Sequence, residues 1–136
     1  MELIPLSTIS VTRDTEGNTG VFSLDIAKIT FMEFERTIYR IIVHTYDQTF
    51  YTVGTLKYWL NTLASSGYHF VLADRNTLIQ VSNIIQLDKT FHIAYFGEDH
   101  RGVEQKCFLS EKGYKEILKY VKTSASDIQV VELPQW

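Results

Sequence analysis

A single cysteine, two prolines and the absence of any long apolar run set the first bounds on this 136-residue sequence. Cys107 has no partner for an internal disulfide, so a reducing, cytoplasmic setting is the expectation. In its "KCFL" context it reads as a small buried hydrophobe. Pro5 and Pro134 lie near the ends, leaving the chain between them free of proline breaks. No apolar stretch approaches the roughly 20 residues of a membrane-spanning helix. The opening "MELIPLSTIS" has neither the basic start nor the apolar core of a signal peptide. The seven glycines are scattered and form no G-x-G or G-K-[ST] pattern, which excludes the usual phosphate-cradling loops. There is no C-x-x-C or H-x-x-x-H, and His44, His69, His92 and His100 are far apart, so no local metal-ligand set exists. No carboxylate pair stands in an apolar setting suited to acid–base work. The expectation is a protein that is not an enzyme, with no cofactor, metal, small-molecule substrate or membrane.

What is present is a folded domain's composition, 45% hydrophobic and 21% charged, in a chain long enough for one core. "LSTISVT" alternates like a strand, and "RDTEGNTG" is turn chemistry. "VFSLDIAKITFMEF", "TIYRIIVHTY" and "TFYTV" read as antiparallel strands joined at "ERT" and "YDQ". The period then changes. Leu56, Trp59, Leu60 and Leu63 share one helical face, with Thr55 as N-cap and Gly67 in the left-handed position that ends a helix. Strands resume with "YHFVL", "TLIQV", "NIIQLDK", "TFHIAYFG" and "EQKCFL", and "EDHRG" forms a hairpin loop between the last two. Ser110 opens a second helix that turns Tyr114, Ile117, Leu118 and Val121 inward and Lys112, Lys115, Lys119 and Lys122 outward. "DIQVVEL" reads as a final strand against a sheet edge or a second copy. The fold class is α+β, mainly β and mostly antiparallel, with one central helix and one near the C-terminus.

A formal charge of −3 argues against coating nucleic acid by bulk electrostatics but leaves a local basic surface open. Arg36 and Arg40 flank "TIY" at one connection, Arg75 and Asn76 occupy a second, and Lys112 follows a third. If these connections share one side of the domain, their side chains converge on one ligand. Arginine, asparagine and lysine are the types that bond phosphates and base edges, and Tyr39 adds a hydroxyl. Solvated turn cations are the plainer reading of the same residues. Asp74 is expected to orient Arg75 by pairing with it.

Four stretches together resemble the LytTR family of DNA-binding domains of bacterial regulators. "DIAKITFMEFERTIYRIIVHT" is similar to its "dI.yie" strand, loop and next strand. "YTVGTLKYWLNTL" is similar to its strand and leucine-containing helix. "FVLADRNTLIQVSNIIQLD" resembles its F-x-R-x-H-R-S-Y-L-V-N-x-x-x-I stretch, and "KCFLSEKGYKEIL" its closing strand and S-x-R turn. Asp74, Gln80 and Lys112 stand where that pattern has histidine, asparagine and arginine. The resemblance implies about ten short strands, with loops from three places entering successive major grooves of double-stranded DNA. It puts Tyr39 at a base-contacting position in the first loop, Arg75 at a phosphate- or base-contacting one with Asn76 in place of serine, and Lys112 at the contact in the last.

The implied organisation is an N-terminal extension over residues 1–20, a LytTR-like domain over 21–122 and a tail over 123–136. The stretch before residue 21 is too short for a receiver domain. Control through abundance, through a regulatory protein partner or through a homodimer formed by the ends of the chain is therefore expected. The alternative function is a protein–protein module that modulates another regulator without binding DNA. Trp136, at the end, is either unordered or set against an apolar patch.

Overall fold

The computed structural model describes residues 7–99, 101–123 and 127–132; His100 and Trp136 lie outside them. Three antiparallel pairings begin the chain. β1 (Thr8–Val11) pairs with β2 (Phe22–Asp25). β3 (Ile29–Glu35), β4 (Arg40–Thr45) and β5 (Thr49–Thr52) then form a meander. After α1 (Leu56–Ser65), β6 (Phe70–Asp74) and β7 (Thr77–Gln80) return to the same sheet, giving the order β5-β4-β3-β7-β6. β8 (Gln86–Asp88), β9 (Ile93–Glu98) and β10 (Glu104–Phe108) build a second sheet, and α2 (Glu111–Thr123) follows it. β11 (Gln129–Val131) closes the order β10-β9-β8-β11, parallel to β8. The final strand expected from "DIQVVEL" thus pairs with an edge of its own chain.

The helices form where periodicity and capping agree. The Thr55 hydroxyl accepts the Tyr58 amide at 3.0 Å. Gly67, at φ +92°, ends α1 with Gly67 N–H bonding Ala64 O and Tyr68 N–H bonding Leu63 O, a Schellman motif. Leu56 and Leu63 are buried, with Trp59 and Leu60 packed beside them. On α2, Tyr114 and Ile117 are buried, Leu118 and Val121 are half-buried, and the four lysines face out. One core lies between the five-stranded sheet, α1 and the β1–β2 pair. The other joins the two larger sheets and α2. Among the described residues no helix is long and apolar enough to cross a membrane.

The run read as one strand, "VFSLDIAKITFMEF", is broken by a single 3₁₀ turn at Ile26–Lys28. The Asp25 carboxylate caps it by accepting the Ala27 amide at 2.9 Å. A second 3₁₀ turn, Val81–Asn83, follows β7. Two side-chain amides lock these corners together: Gln80 Nε2 donates to Ile26 O and Ile29 O, and Asn83 Nδ2 to Ala27 O and Ile29 O, at 2.7–2.9 Å. Gln80 is only 2% exposed, and this polar residue belongs to the core because its buried amide nitrogen is itself satisfied by two carbonyls.

Candidate nucleic-acid interface

The three connections singled out from charge lie next to one another and are joined by backbone hydrogen bonds. The first is the β3–β4 turn over residues 36–39. At its base the Phe34 amide donates to the carbonyl of Asn76, at 2.9 Å, in the β6–β7 turn. That turn is tied in its own right to the start of α2. A bulge between Leu72 and Asp74 displaces the register of β6 at Ala73. The Ala73 carbonyl accepts both the Ser110 amide, at 2.8 Å, and the Ser110 hydroxyl, at 3.0 Å. Ser110 Oγ also accepts the Gly113 amide at 3.0 Å, so one side chain caps α2 and fastens it to β6.

Gly113 permits that contact. A β-carbon there would stand 2.3 Å from Ala73 O and 2.9 Å from Leu72 O, both rigid backbone atoms. Glycine inside a strongly patterned helix costs about 1 kcal/mol relative to alanine, and here it allows α2 to seat directly on the strand. The result is a cleft of about 770 Å3 in which Arg75, Asn76 and Lys112 stand together above Leu60, Phe70 and Leu72. A second cleft, of about 480 Å3, is lined by Arg13, Lys28 and Asn83 among others and holds none of the residues singled out from sequence.

Arg75, Asn76 and Lys112 are all exposed. Among the described residues neither cation has an ion pair. The expected Asp74–Arg75 pairing is not what the structure shows. The Asp74 carboxylate instead accepts the Asn76 amide at 2.7 Å, closing the turn and leaving the guanidinium unengaged. Glu111, next to Lys112, is drawn to Lys115 at 3.1 Å, and that hydrogen bond holds its carboxyl below the usual range. By contrast Arg101, in the β9–β10 loop, is bonded to Asp99 at 2.7 Å.

The first loop is built differently. Arg36 is exposed, and Tyr39 presents 75% of its surface to solvent. Tyr39 adopts φ +50°, a left-handed conformation that costs a residue with a β-carbon about 1–2 kcal/mol. Two features oppose that cost. The Phe34 ring meets the Tyr39 ring edge-on at 6.1 Å, and Arg40 Nη1 donates to Ile38 O at 3.3 Å and Tyr39 O at 3.0 Å. Arg40 Nε donates in turn to Thr15 O at 2.8 Å. Of the six residues named from sequence, Arg75, Asn76 and Lys112 share the cleft, Arg36 and Tyr39 occupy the neighbouring loop, and Arg40 is turned onto backbone carbonyls.

The remaining reactive groups are in packed settings. Cys107 is buried, and burial, reinforced by the charges of Asp74 and Glu33, pushes its thiol up to about 12. His44 contacts Glu33 at 3.3 Å, His69 meets Tyr120 edge-on and His92 stacks on Tyr114. Among the described residues no three His, Cys, Asp or Glu side chains come together as metal ligands.

Sequence reasoning missed Gly113 and the part of Ser110 that reaches across to Ala73. The signal for the first was available: a glycine in the middle of "SEKGYKEIL", where propensity gives no reason for one.

The LytTR family model, that of the LytTr DNA-binding domain, matches residues 19–122. Among solved structures, the LytTr DNA-binding domain of a Bacillus cereus protein described as a methyl-accepting/DNA response regulator superimposes with a TM-score of 0.59. That match covers 88% of this chain and 99% of the other at 13% identity, a likeness of fold. No curated protein sequence matches the chain. With the family model spanning the five-stranded sheet, β8 to β10 and α2 up to residue 122, the chain belongs to the LytTR DNA-binding domain family.

Proposed function

We propose that this chain binds double-stranded DNA sequence-selectively as a bacterial transcriptional regulator, presenting the β3–β4 loop, the β6–β7 turn and the start of α2 to successive major grooves. The observation that carries the reading is the pair of backbone hydrogen bonds, Phe34 to Asn76 and Ser110 to Ala73, that tie the first and third connections to the two sides of the β6–β7 turn. Arg75 has a free fork suited to a phosphate or a guanine edge. Asn76 offers donor and acceptor groups to a base edge, and Lys112 supplies a point charge. At the start of α2 the amides of Glu111 and Lys112 have no acceptor among the described residues, which favours a phosphate there. Tyr39 and Arg36 contribute from the first loop.

The test is selection of sites from a random duplex pool near physiological salt, run with wild type and with Arg75→Ala/Lys112→Ala. An enriched motif that the double variant loses supports the reading. If both residues meet phosphates, the slope of log affinity on log salt falls by about 0.9 for each. The net charge of −3, with Asp74 and Glu116 lining the same cleft, favours one second reading, a module that docks on a regulatory protein or a second copy. No enrichment, together with a defined complex in solution, establishes that one instead.

A further inference from the structure

We infer that the N-terminal turn over residues 13–20 sets the conformation of the loop carrying Tyr39, with Arg40 as the positioning residue that links the two. The inference rests on the DNA-binding reading for its functional consequence, though the coupling itself is a property of the free protein. Three backbone carbonyls receive the Arg40 guanidinium: Thr15 O on one side, and Ile38 O and Tyr39 O on the other. A contact residue of the Arg75 kind keeps its fork open. Arg40 instead directs Nη1 onto the carbonyls around the left-handed Tyr39 and Nε onto Thr15.

The anchor at Thr15 is itself rigidly built. The Asp14 carboxylate accepts the Asn18 amide at 2.9 Å, the Thr19 amide at 3.0 Å and the Thr19 hydroxyl at 2.6 Å. Gly17 and Gly20 take φ +76° and +91°, which lets the chain fold back on itself. Thr12 and Tyr51 exchange reciprocal backbone bonds of 2.9 and 2.8 Å, so the turn is fastened to β5, the neighbour of the strand that Arg40 begins. Asp14 and Thr15 precede residue 19, where the family match starts, while Thr19 and Gly20 fall inside it, so this buttress straddles the edge of the matched segment.

The sign of one substitution separates positioning from contact. Asp14→Ala removes a negative charge, which by Coulomb's law alone strengthens binding to DNA. Loosening the Tyr39 loop does the opposite. The experiment uses the full chain and a fluorescein-labelled mixed-sequence duplex spanning two major grooves, titrated over a range of salt. Asp14→Ala, Thr19→Val and Arg40→Ala are each expected to weaken binding roughly three- to tenfold through lost preorganisation, with the salt slope unchanged. The Asp14/Arg40 double variant is expected to be no weaker than Arg40→Ala, and Arg40→Lys not to rescue.

A slope that falls by about one in Arg40→Ala and returns in Arg40→Lys marks a phosphate contact and overturns the inference. Unchanged or tighter binding by Asp14→Ala and Thr19→Val overturns it too. Thr19→Val carries the test if Asp14→Ala fails to fold. Amide NMR of the free protein is read in parallel: the Ile38 and Tyr39 resonances should move in Asp14→Ala or Thr19→Val. Unmoved resonances overturn the coupling. Moved resonances in a protein that binds no duplex leave the coupling standing and remove the DNA reading.

Discussion

Gly113→Ala is a substitution for which local and tertiary physics predict opposite signs. In an isolated helix the change stabilises by about 1 kcal/mol, because alanine has the higher propensity. Here the new methyl carbon would lie 2.3 Å from Ala73 O and 2.9 Å from Ala73 C, inside any tolerable contact and against backbone that cannot rotate away. The first turn of α2 must lift off β6. Two hydrogen bonds from Ser110 to Ala73 O then break or stretch, each contributing about 0.5–1.5 kcal/mol. Tyr114, the next residue, and Ile117, one turn further on, are both buried and shift with the helix, and overpacking of this kind costs about 1–3 kcal/mol. After subtracting the propensity gain, a net loss of roughly 1–5 kcal/mol remains. For a domain of this size each kcal/mol lowers Tm by about 3–5 °C. Calorimetry on wild type and variant measures this directly. A variant with raised Tm would show that the helix absorbs the methyl at no cost, and the account of how α2 is seated on β6 would fail. Lys112 is carried on the same turn, so the folded variant should also lose DNA affinity at a temperature where it remains native.

Three further outcomes follow from buried or fixed groups. Gln80→Leu removes two buried hydrogen bonds, to Ile26 O and Ile29 O, each contributing about 0.5–1.5 kcal/mol, so chemical denaturation should show a loss of about 1–3 kcal/mol. Cys107, held up to about 12, is about one part in ten thousand thiolate at pH 8. Iodoacetamide should therefore label it only at the rate of unfolding, and rapid labelling of the native protein would contradict its burial. Asp14 and Asp99 are both held down to about 2 from 3.8, chiefly by the Thr19 hydroxyl and by Arg101 respectively. Since each binds its proton more readily unfolded, their contribution is full above about pH 4 and is lost as pH falls toward 2. An Asp14→Asn/Asp99→Asn variant should show a flatter stability curve across that window in denaturant titrations.

The fold was legible where a local signal decided it. Strand alternation located the short strands, and Thr55 with Gly67 bracketed α1 because both caps act within a few residues. The break inside "VFSLDIAKITFMEF" was readable in principle, since Asp25 is an N-cap residue, but a capped 3₁₀ turn of three residues leaves no periodicity to detect. The site was legible only as residue types on separate connections. What assembles it acts across long sequence separations: Phe34 to Asn76, Ser110 to Ala73, and Arg40 back to Thr15. Arg40 illustrates the limit. Its charge and its place beside a connection look like those of Arg75 in the sequence, and only the three carbonyls around it set it apart.

Those links all end on backbone carbonyls, so side chains on the connections can vary while the fold holds. The Asp74 carboxylate makes a turn-closing bond to the Asn76 amide, so the turn keeps its shape. The cost is a negative charge beside Arg75. Asp74→Asn separates the two effects, because the amide oxygen can still accept from Asn76 while the charge is gone. A carboxylate about 8 Å from a phosphate repels it by roughly 0.5 kcal/mol in high dielectric, and salt screens that further. Asp74→Asn should therefore bind duplex DNA about two- to threefold more tightly at low salt, with unaltered thermal stability. Asp74→Ala, which also loses the turn-closing bond, should gain less. Tightening of a hundredfold or more in Asp74→Asn would refute the Coulomb estimate and identify Asp74 as a brake that holds this chain off DNA.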